Sequence, residues 1–336
     1  MSWSIDLKDF LEARPDWQLL ASNGERSTQY MCATQLLQDP GWAPVHTCLA
    51  KMIEESKPDT IDYDYEYAPF AGPHSCYCTA CLAAFRTYAK LPADAELTPE
   101  TIKTTHRAQW VTFMADRVAR VFRRMRVSID EISPGCEFSV YSGYHGPGNM
   151  EQYGVDWARI GELKSCHRAA CGYGRPAERV RDTVTALKGI PLVCGELLNP
   201  YNTQVDEAVI PLTVGRLLRR SLDATGGVLI YDRLPMDGRC WRAVGETTRL
   251  VATYEELFLK GKRGTLPDQP EDSVTMLTHG DQALLCVLNA VFQKRTFQLK
   301  APFAAREFYT GATVKAGQSL DVVLAPGEVA VYVKTP

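Results

Sequence analysis

Five short apolar runs separated by long helical patterns constrain this chain more than any other feature. The runs are Thr60–Tyr65 (TIDYDY), Glu137–Tyr141 (EFSVY), Arg168–Cys171 (RAAC), Pro191–Cys194 (PLVC) and Gly227–Tyr231 (GVLIY). Between the first two, Pro99–Ile132 carries Trp110, Phe113, Met114, Val118, Val121 and Phe122 at helical spacing. Pro176–Leu187, Glu207–Leu222 and Arg239–Phe258 also read as helices. Parallel strands need a long crossover, usually a helix, so this alternation predicts a parallel sheet covered by helices. Each run ends in a polar or glycine-containing loop: Glu66, Ser142-Gly143, Gly172-Tyr173-Gly174, Gly195-Glu196 and Asp232. Functional groups at the C-terminal ends of successive parallel strands point to a (β/α) barrel.

A closed barrel of this kind has eight strands, and five are legible. The first 58 residues read as a helix (Leu7–Ala13), a loop (Pro15–Thr34) and a second helix (Ala43–Ser56), with no apolar strand. Residues 1–260 are therefore expected to form an α/β region of (β/α)8 TIM-barrel type, in which either further strands are hidden in the first 58 residues or the sequence begins partway round the barrel. The pattern changes near Lys260. The polar, proline-bearing stretch KGKRGTLPDQPED reads as a linker over residues 261–272. Short alternating runs separated by the turn signals HGD, AGQ and PGE follow, with no helical stretch. Residues 273–336 are expected to form a small antiparallel β-sandwich.

Composition removes several classes. Lys plus Arg number 37 and Asp plus Glu 40, a formal charge of −3, so there is no basic footprint for nucleic acid. No apolar run approaches the roughly 18 residues of a membrane span. The start, MSWSIDLKDFLEARPDW, carries acids and no apolar stretch of a secretory signal. Eleven cysteines are an odd number, which favours reduced thiols or metal ligands over a disulfide framework, and with them a cytoplasmic chain.

Two motifs carry chemistry. In Thr60–Tyr65 and the residue after it, Asp62, Asp64 and Glu66 alternate with tyrosines, so the three carboxylates share one face of a strand. Mutual repulsion predicts at least one raised pKa, which is what a general acid needs near neutral pH. Glu66, where strand becomes loop, is the best candidate. Glu196 follows the apolar run IPLVC and reads as an active-site group or a helix-capping acid, and Asp232 ends the next strand. Two carboxylates from different strands suit glycoside hydrolysis, one protonating the leaving oxygen while the other attacks or activates water. Tyr141, Tyr144, Tyr173, Trp157 and Trp241 are candidate stacking platforms for a sugar, with Arg175, Arg233 and Asn199 as hydroxyl partners.

The second motif is Cys76-Tyr77-Cys78-Thr79-Ala80-Cys81, a C-x-C-x2-C opening a helix. Three thiols this close chelate one soft cation, and a structural Zn²⁺ takes a fourth ligand. Cys32, in YMCAT, is available, and Cys48 is the alternative.

Taken together, LEARPDWQLLASNGERSTQYMCA, DYDYEY and SCYCTACLAAFR resemble the zinc-containing β-galactosidases of glycoside hydrolase family forty-two. The resemblance implies a zinc site of Cys32, Cys76, Cys78 and Cys81. It implies that Glu66, in Tyr65-Glu66-Tyr67 where the family has Asn-Glu-Tyr, is the acid/base, and that Glu196 is the nucleophile. It leaves the family's first three strands without a counterpart. The expectation is a glycoside-hydrolase-like protein with Glu66 and Glu196 catalytic, Asp64, Tyr141, Tyr173 and Asp232 binding a carbohydrate, and no organic cofactor. The alternative is a non-catalytic carbohydrate-binding or truncated barrel fragment, completed by a second copy or a partner segment.

Overall fold

The computed structural model describes residues 8–66, 74–172, 177–197, 209–231, 238–270, 272–289, 291 and 293–336. It divides into two compact units, residues 1–171 with 182–191, and residues 172–181 with 192–336.

The first unit opens with helix α1 (Lys8–Glu12) and an antiparallel hairpin of β1 (Gln18–Leu20) and β2 (Arg26–Met31). This corrects the loop expected over Pro15–Thr34. The strands are short and β2 is half exposed, so no apolar run marks them. The legible signal is Asn23-Gly24 at the tip, where Gly24 takes φ +89°. Helices α2 (Ala33–Leu36) and α3 (Asp39–Ser56) follow. Then come β3 (Thr60–Asp64), α4 (Thr79–Tyr88), α5 (Pro99–Thr104) and α6 (Arg107–Ile132). The single helix expected over Pro99–Ile132 is thus two. Thr98 caps α5 in a reciprocal capping box, and the chain re-enters helix after His106.

The unit continues through β4 (Glu137–Ser142), α7 (Pro147–Tyr153), α8 (Trp157–Leu163) and β5 (Arg168–Cys171). Strands β3 and β4 pair in parallel, from Thr60 opposite Glu137 to Asp64 opposite Tyr141. Strand β4 also pairs in parallel with β5. It is buried from Phe138 to Ser142 on both faces, as expected of a strand covered on two sides. Helix α6 buries Trp110, Phe113, Met114, Val118, Phe122, Met125 and Ile129. Tyr63 and Tyr65 meet Phe122 edge-on, with centroids 6.0 and 5.1 Å apart. The tyrosine face of β3 therefore looks at α6, and the carboxylate face is turned away from it.

Helix α9 (Ala177–Ala186) contributes to both units. The second unit holds β6 (Leu192–Leu197), α10 (Val209–Asp223), β7 (Gly227–Tyr231), α11 (Gly238–Thr253) and α12 (Glu255–Lys260). Strands β6 and β7 pair in parallel, with Glu196 opposite Ile230. All five expected runs are strands, and the fold is α/β of half-barrel type followed by an all-β region.

The expected linker is partly structured. Lys262–Gly264 forms β8, antiparallel to β9 (Val274–His279). Arg263 donates to the carbonyls of Leu222, Ala224, Phe258 and Gly261, satisfying helix-end acceptors of α10 and α12. Strands β10 (Gln282–Leu288), β11 (Arg295–Lys300), β12 (Ala305–Glu307), β13 (Thr313–Val314), β14 (Ser319–Leu324) and β15 (Val329–Lys334) complete the chain. Six strands form one antiparallel sheet in the order β13-β12-β15-β10-β9-β8, and β11 pairs with β14. On one face of the larger sheet, Leu285 and Val287 pack with Phe297, Leu299, Val322 and Leu324 of the smaller one. On the other, Leu284 and Cys286 pack with Leu218, Leu222, Leu250, Leu257 and Phe258 of the helices. The sandwich is thus continuous with α10–α12, because the larger sheet has a core on each face. Among the described residues, no helix is long and apolar enough to cross a membrane.

Candidate metal centre and carboxylate strand

The hairpin, α2, α4 and the start of α6 converge on four thiols. Cys32 follows β2 and precedes α2, Cys76 and Cys78 lead into α4, and Cys81 lies in its first turn. All four are buried, and their sulfurs lie within 4.8 Å of one another. The Cys32 Sγ stands 3.6 Å from that of Cys78 and 3.3 Å from that of Cys81. A disulfide needs sulfurs about 2.05 Å apart, so these four remain separate thiols. A tetrahedral ion with metal–sulfur bonds of about 2.3 Å sets its ligands about 3.8 Å apart. The cluster is therefore close to metal-binding geometry.

Hydrogen bonds orient the sulfurs. The Leu20 amide donates to Cys76 Sγ at 3.0 Å, and Thr34 Oγ1 lies 3.1 Å from Cys81 Sγ. Hydrogen bonds from Cys32 and Cys76 pull the Cys78 thiol well below its ordinary range. Cys32, held by Cys76 and Cys78 and by burial, is pushed well above it. Four thiols that share protons in this way release them to a metal. Around them pack Phe85, Ile102, Trp110, Phe113 and Met114, with Tyr77 stacked on Trp110 at 5.3 Å. Cys48 sits on α3, outside the cluster. Thr34 and the Leu20 amide were not foreseen. Thr34 lies two residues after Cys32, but a backbone amide leaves no mark in sequence.

The carboxylate strand ends in a pinned geometry. The Tyr65 amide donates to the Tyr141 carbonyl at 2.8 Å, and Ser142 Oγ donates to the Tyr65 carbonyl at 3.0 Å. These bonds fix the backbone that presents Glu66. Burial, and then the neighbouring Asp64 charge, push the Glu66 carboxyl above its usual range. Asp62 and Asp64 are exposed, and Tyr141, opposite Asp64, is buried.

Glu196 lies in the second unit, on β6, with only 7% of its surface exposed. Arg220, in the last turn of α10, donates to its Oε2 at 3.0 Å. Asp223 lies 3.9 Å from Arg220 and is held by Arg219 at 2.9 Å. No sequence signal announces Arg220, since a basic residue near a helix C-terminus is ordinary. Of the candidate platforms, Tyr144 and Trp157 are buried, with the Trp157 indole N–H donating to the Gly143 carbonyl at 2.7 Å. Trp241 is 58% exposed on α11. Tyr173, Arg175, Asn199, Asp232 and Arg233 lie outside the described residues. The first unit thus groups Asp64, Glu66 and Tyr141 at one strand end and the four cysteines in one core, and in the second unit Glu196 pairs with Arg220.

No family model matches the chain, and no curated protein matches it. Solved structures do. One is the crystal structure of AmyP in complex with maltose, with a TM-score of 0.56 and 10% identity over 97% of this chain and 77% of that one. A second is the β-galactosidase from Bacillus circulans sp. alkalophilus, at 0.62 and 9% over 98% and 87%. A third is a catalytic mutant of Gan42B, a GH42 β-galactosidase from G. stearothermophilus, at 0.61 and 9% over 97% and 86%. At these identities the likeness shows the fold alone, an α/β half-barrel type followed by an all-β region.

Proposed function

We propose that the chain is a glycoside hydrolase of the two-carboxylate kind, with a carbohydrate as substrate. The observation that carries this reading is Glu66. It follows a parallel strand by two residues, on a backbone held by Tyr141 and Ser142, and keeps its proton to higher pH through burial and Asp64. In the reaction, Glu66 gives its proton to the glycosidic oxygen as the C–O bond breaks. Glu196 bonds to the anomeric carbon itself, to be displaced later by water, or takes a proton from the water whose oxygen bonds to that carbon. Asp64 holds Glu66 protonated and, with Tyr141, Tyr173 and Asp232, contacts the sugar. The likeness to barrel glycosidases supports the reading at the level of fold.

The four thiols fit zinc in number, softness, burial and spacing. Zinc bound there would be structural, tying the hairpin to α4 and the segment that leaves β3. The odd count of eleven cysteines and the four separate thiols of the cluster support a cytoplasmic setting.

A second reading is favoured by the Glu196–Arg220 ion pair, which engages Glu196 with α10. On that reading the chain binds carbohydrate without turnover. Among the described residues β3 pairs only with β4, so its outer edge is open to a second copy or a partner segment. A panel of alkyl glycosides separates the readings. Wild type is expected to turn over at least one, and Glu66→Gln and Glu196→Gln to lose activity by about 10²–10⁴-fold. Binding without turnover would establish the second reading, and equal turnover in all three would remove Glu66 and Glu196 from the reaction.

A further inference from the structure

We infer that Arg117 is the positioning residue that offsets the negative charge of a metal-loaded cysteine cluster. The inference rests on the metal reading above. Four thiolates and one divalent ion carry a net charge of 2 − 4 = −2. That charge would sit among four cysteines that are at most 4% exposed, and a buried charge is costly unless a counter-charge meets it.

Arg117 is placed to be that counter-charge. On α6, Trp110, Phe113, Met114 and Arg117 follow the i, i+3, i+4, i+7 spacing of one helix face. The first three belong to the core that holds the cysteines. The Arg117 guanidinium lies over the Phe113 ring, 4.7 Å from its centroid. Asp116 acts on it electrostatically first, and Cys81 and Cys32 act in the same direction.

Among the described residues no carboxylate pairs with it directly. The neighbouring Asp116 is fully engaged, its Oδ2 accepting from Arg120 at 2.7 Å and its Oδ1 from Arg159 at 2.6 Å. Among the described residues Arg117 forms no ion pair, and its buried Nε has no hydrogen-bond partner. A half-buried guanidinium left in this way is unfavourable by itself, and burial pulls its pKa down. A dianionic centre beside it removes the anomaly.

The test reads metal release, not catalysis. The full-length chain is loaded with zinc, and its transfer to the chromogenic chelator pyridylazoresorcinol is followed in wild type, Arg117→Met and Arg117→Lys, with Cys78→Ser as the control that takes up none. Methionine keeps the packing on Phe113 and removes the charge, and lysine keeps the charge. The expected result is about one zinc per wild-type chain. Zinc affinity should fall by about 10–100-fold in Arg117→Met, the usual effect of losing a group around a metal's ligands, and recover in Arg117→Lys. Equal affinity in wild type and Arg117→Met overturns the inference and leaves the metal reading standing. A failure of lysine to rescue overturns it too, since packing then accounts for the loss. A wild-type chain that takes up no zinc overturns both.

Discussion

Glu66 shows how far a single residue can be read from its neighbours in sequence. Period-two alternation places Asp62, Asp64 and Glu66 on one face, and the packing of Tyr63 and Tyr65 on Phe122 agrees for Asp62 and Asp64. The expected upward shift is present at Glu66, and burial contributes more to it than charge repulsion. Burial was not legible, because it comes from chain segments distant in sequence. The weaker, electrostatic cause is open to test. A general acid works only while protonated, so the alkaline limb of kcat/KM follows the Glu66 pKa. Asp64→Asn removes a neighbouring negative charge, which lowers that pKa and moves the alkaline limb to lower pH. A pH–rate profile of Asp64→Asn superimposed on wild type would show that Asp64 does not tune Glu66. Arg220 and Arg117 mark the opposite limit. Arginines on helices are common, and what each faces is set by tertiary packing alone.

Among elements, those with strong periodicity were legible and those defined by turns or breaks were not. The five parallel strands lie where their apolar runs stand, to within a few residues at the ends. The β1–β2 hairpin escaped because its strands are short and polar, although Asn23-Gly24 marked its turn. The linker hid β8, since a three-residue strand has no period to detect. Pairing between elements also depends on pH. At the start of β4 and β5, His167 Nδ1 accepts from the Phe138 amide at 2.9 Å, and its Nε2 donates to Asp130 at 3.0 Å. Burial and then Arg126 lower its pKa, against the opposing pull of Asp130 and Glu137. The unfolded chain therefore takes up this proton first as pH falls. The contribution is complete above the ordinary histidine value of about 6.5 and is lost as pH drops through the folded pKa. Thermal melts at pH 7 and pH 5 should show a larger loss of stability in wild type than in His167→Asn, whose side-chain oxygen can still accept from Phe138. Parallel curves would remove His167 from the account.

At the scale of the whole molecule, the α/β half and the β half were both legible as classes. The way they join was not. The second unit draws β6, β7 and α10–α12 into one body with the C-terminal strands, because β10 is apolar on both faces and each face needs a cover. A linear reading of composition sees the change near Lys260 but not that the helices before it pack on the sheet after it. The fold is shared with glycosidases, yet a fold does not specify a reaction. The central claim is that Glu66 donates a proton to a departing glycosidic oxygen. It is tested most directly by hydrolysis of glycosides graded by leaving-group acidity, in wild type and Glu66→Gln. Protonation matters most for poor leaving groups and least for acidic phenols. The prediction is a loss of about 10²–10⁴-fold with alkyl glycosides that shrinks toward wild-type rates with dinitrophenyl glycosides. A loss of the same size across the series, or no loss at all, would contradict it.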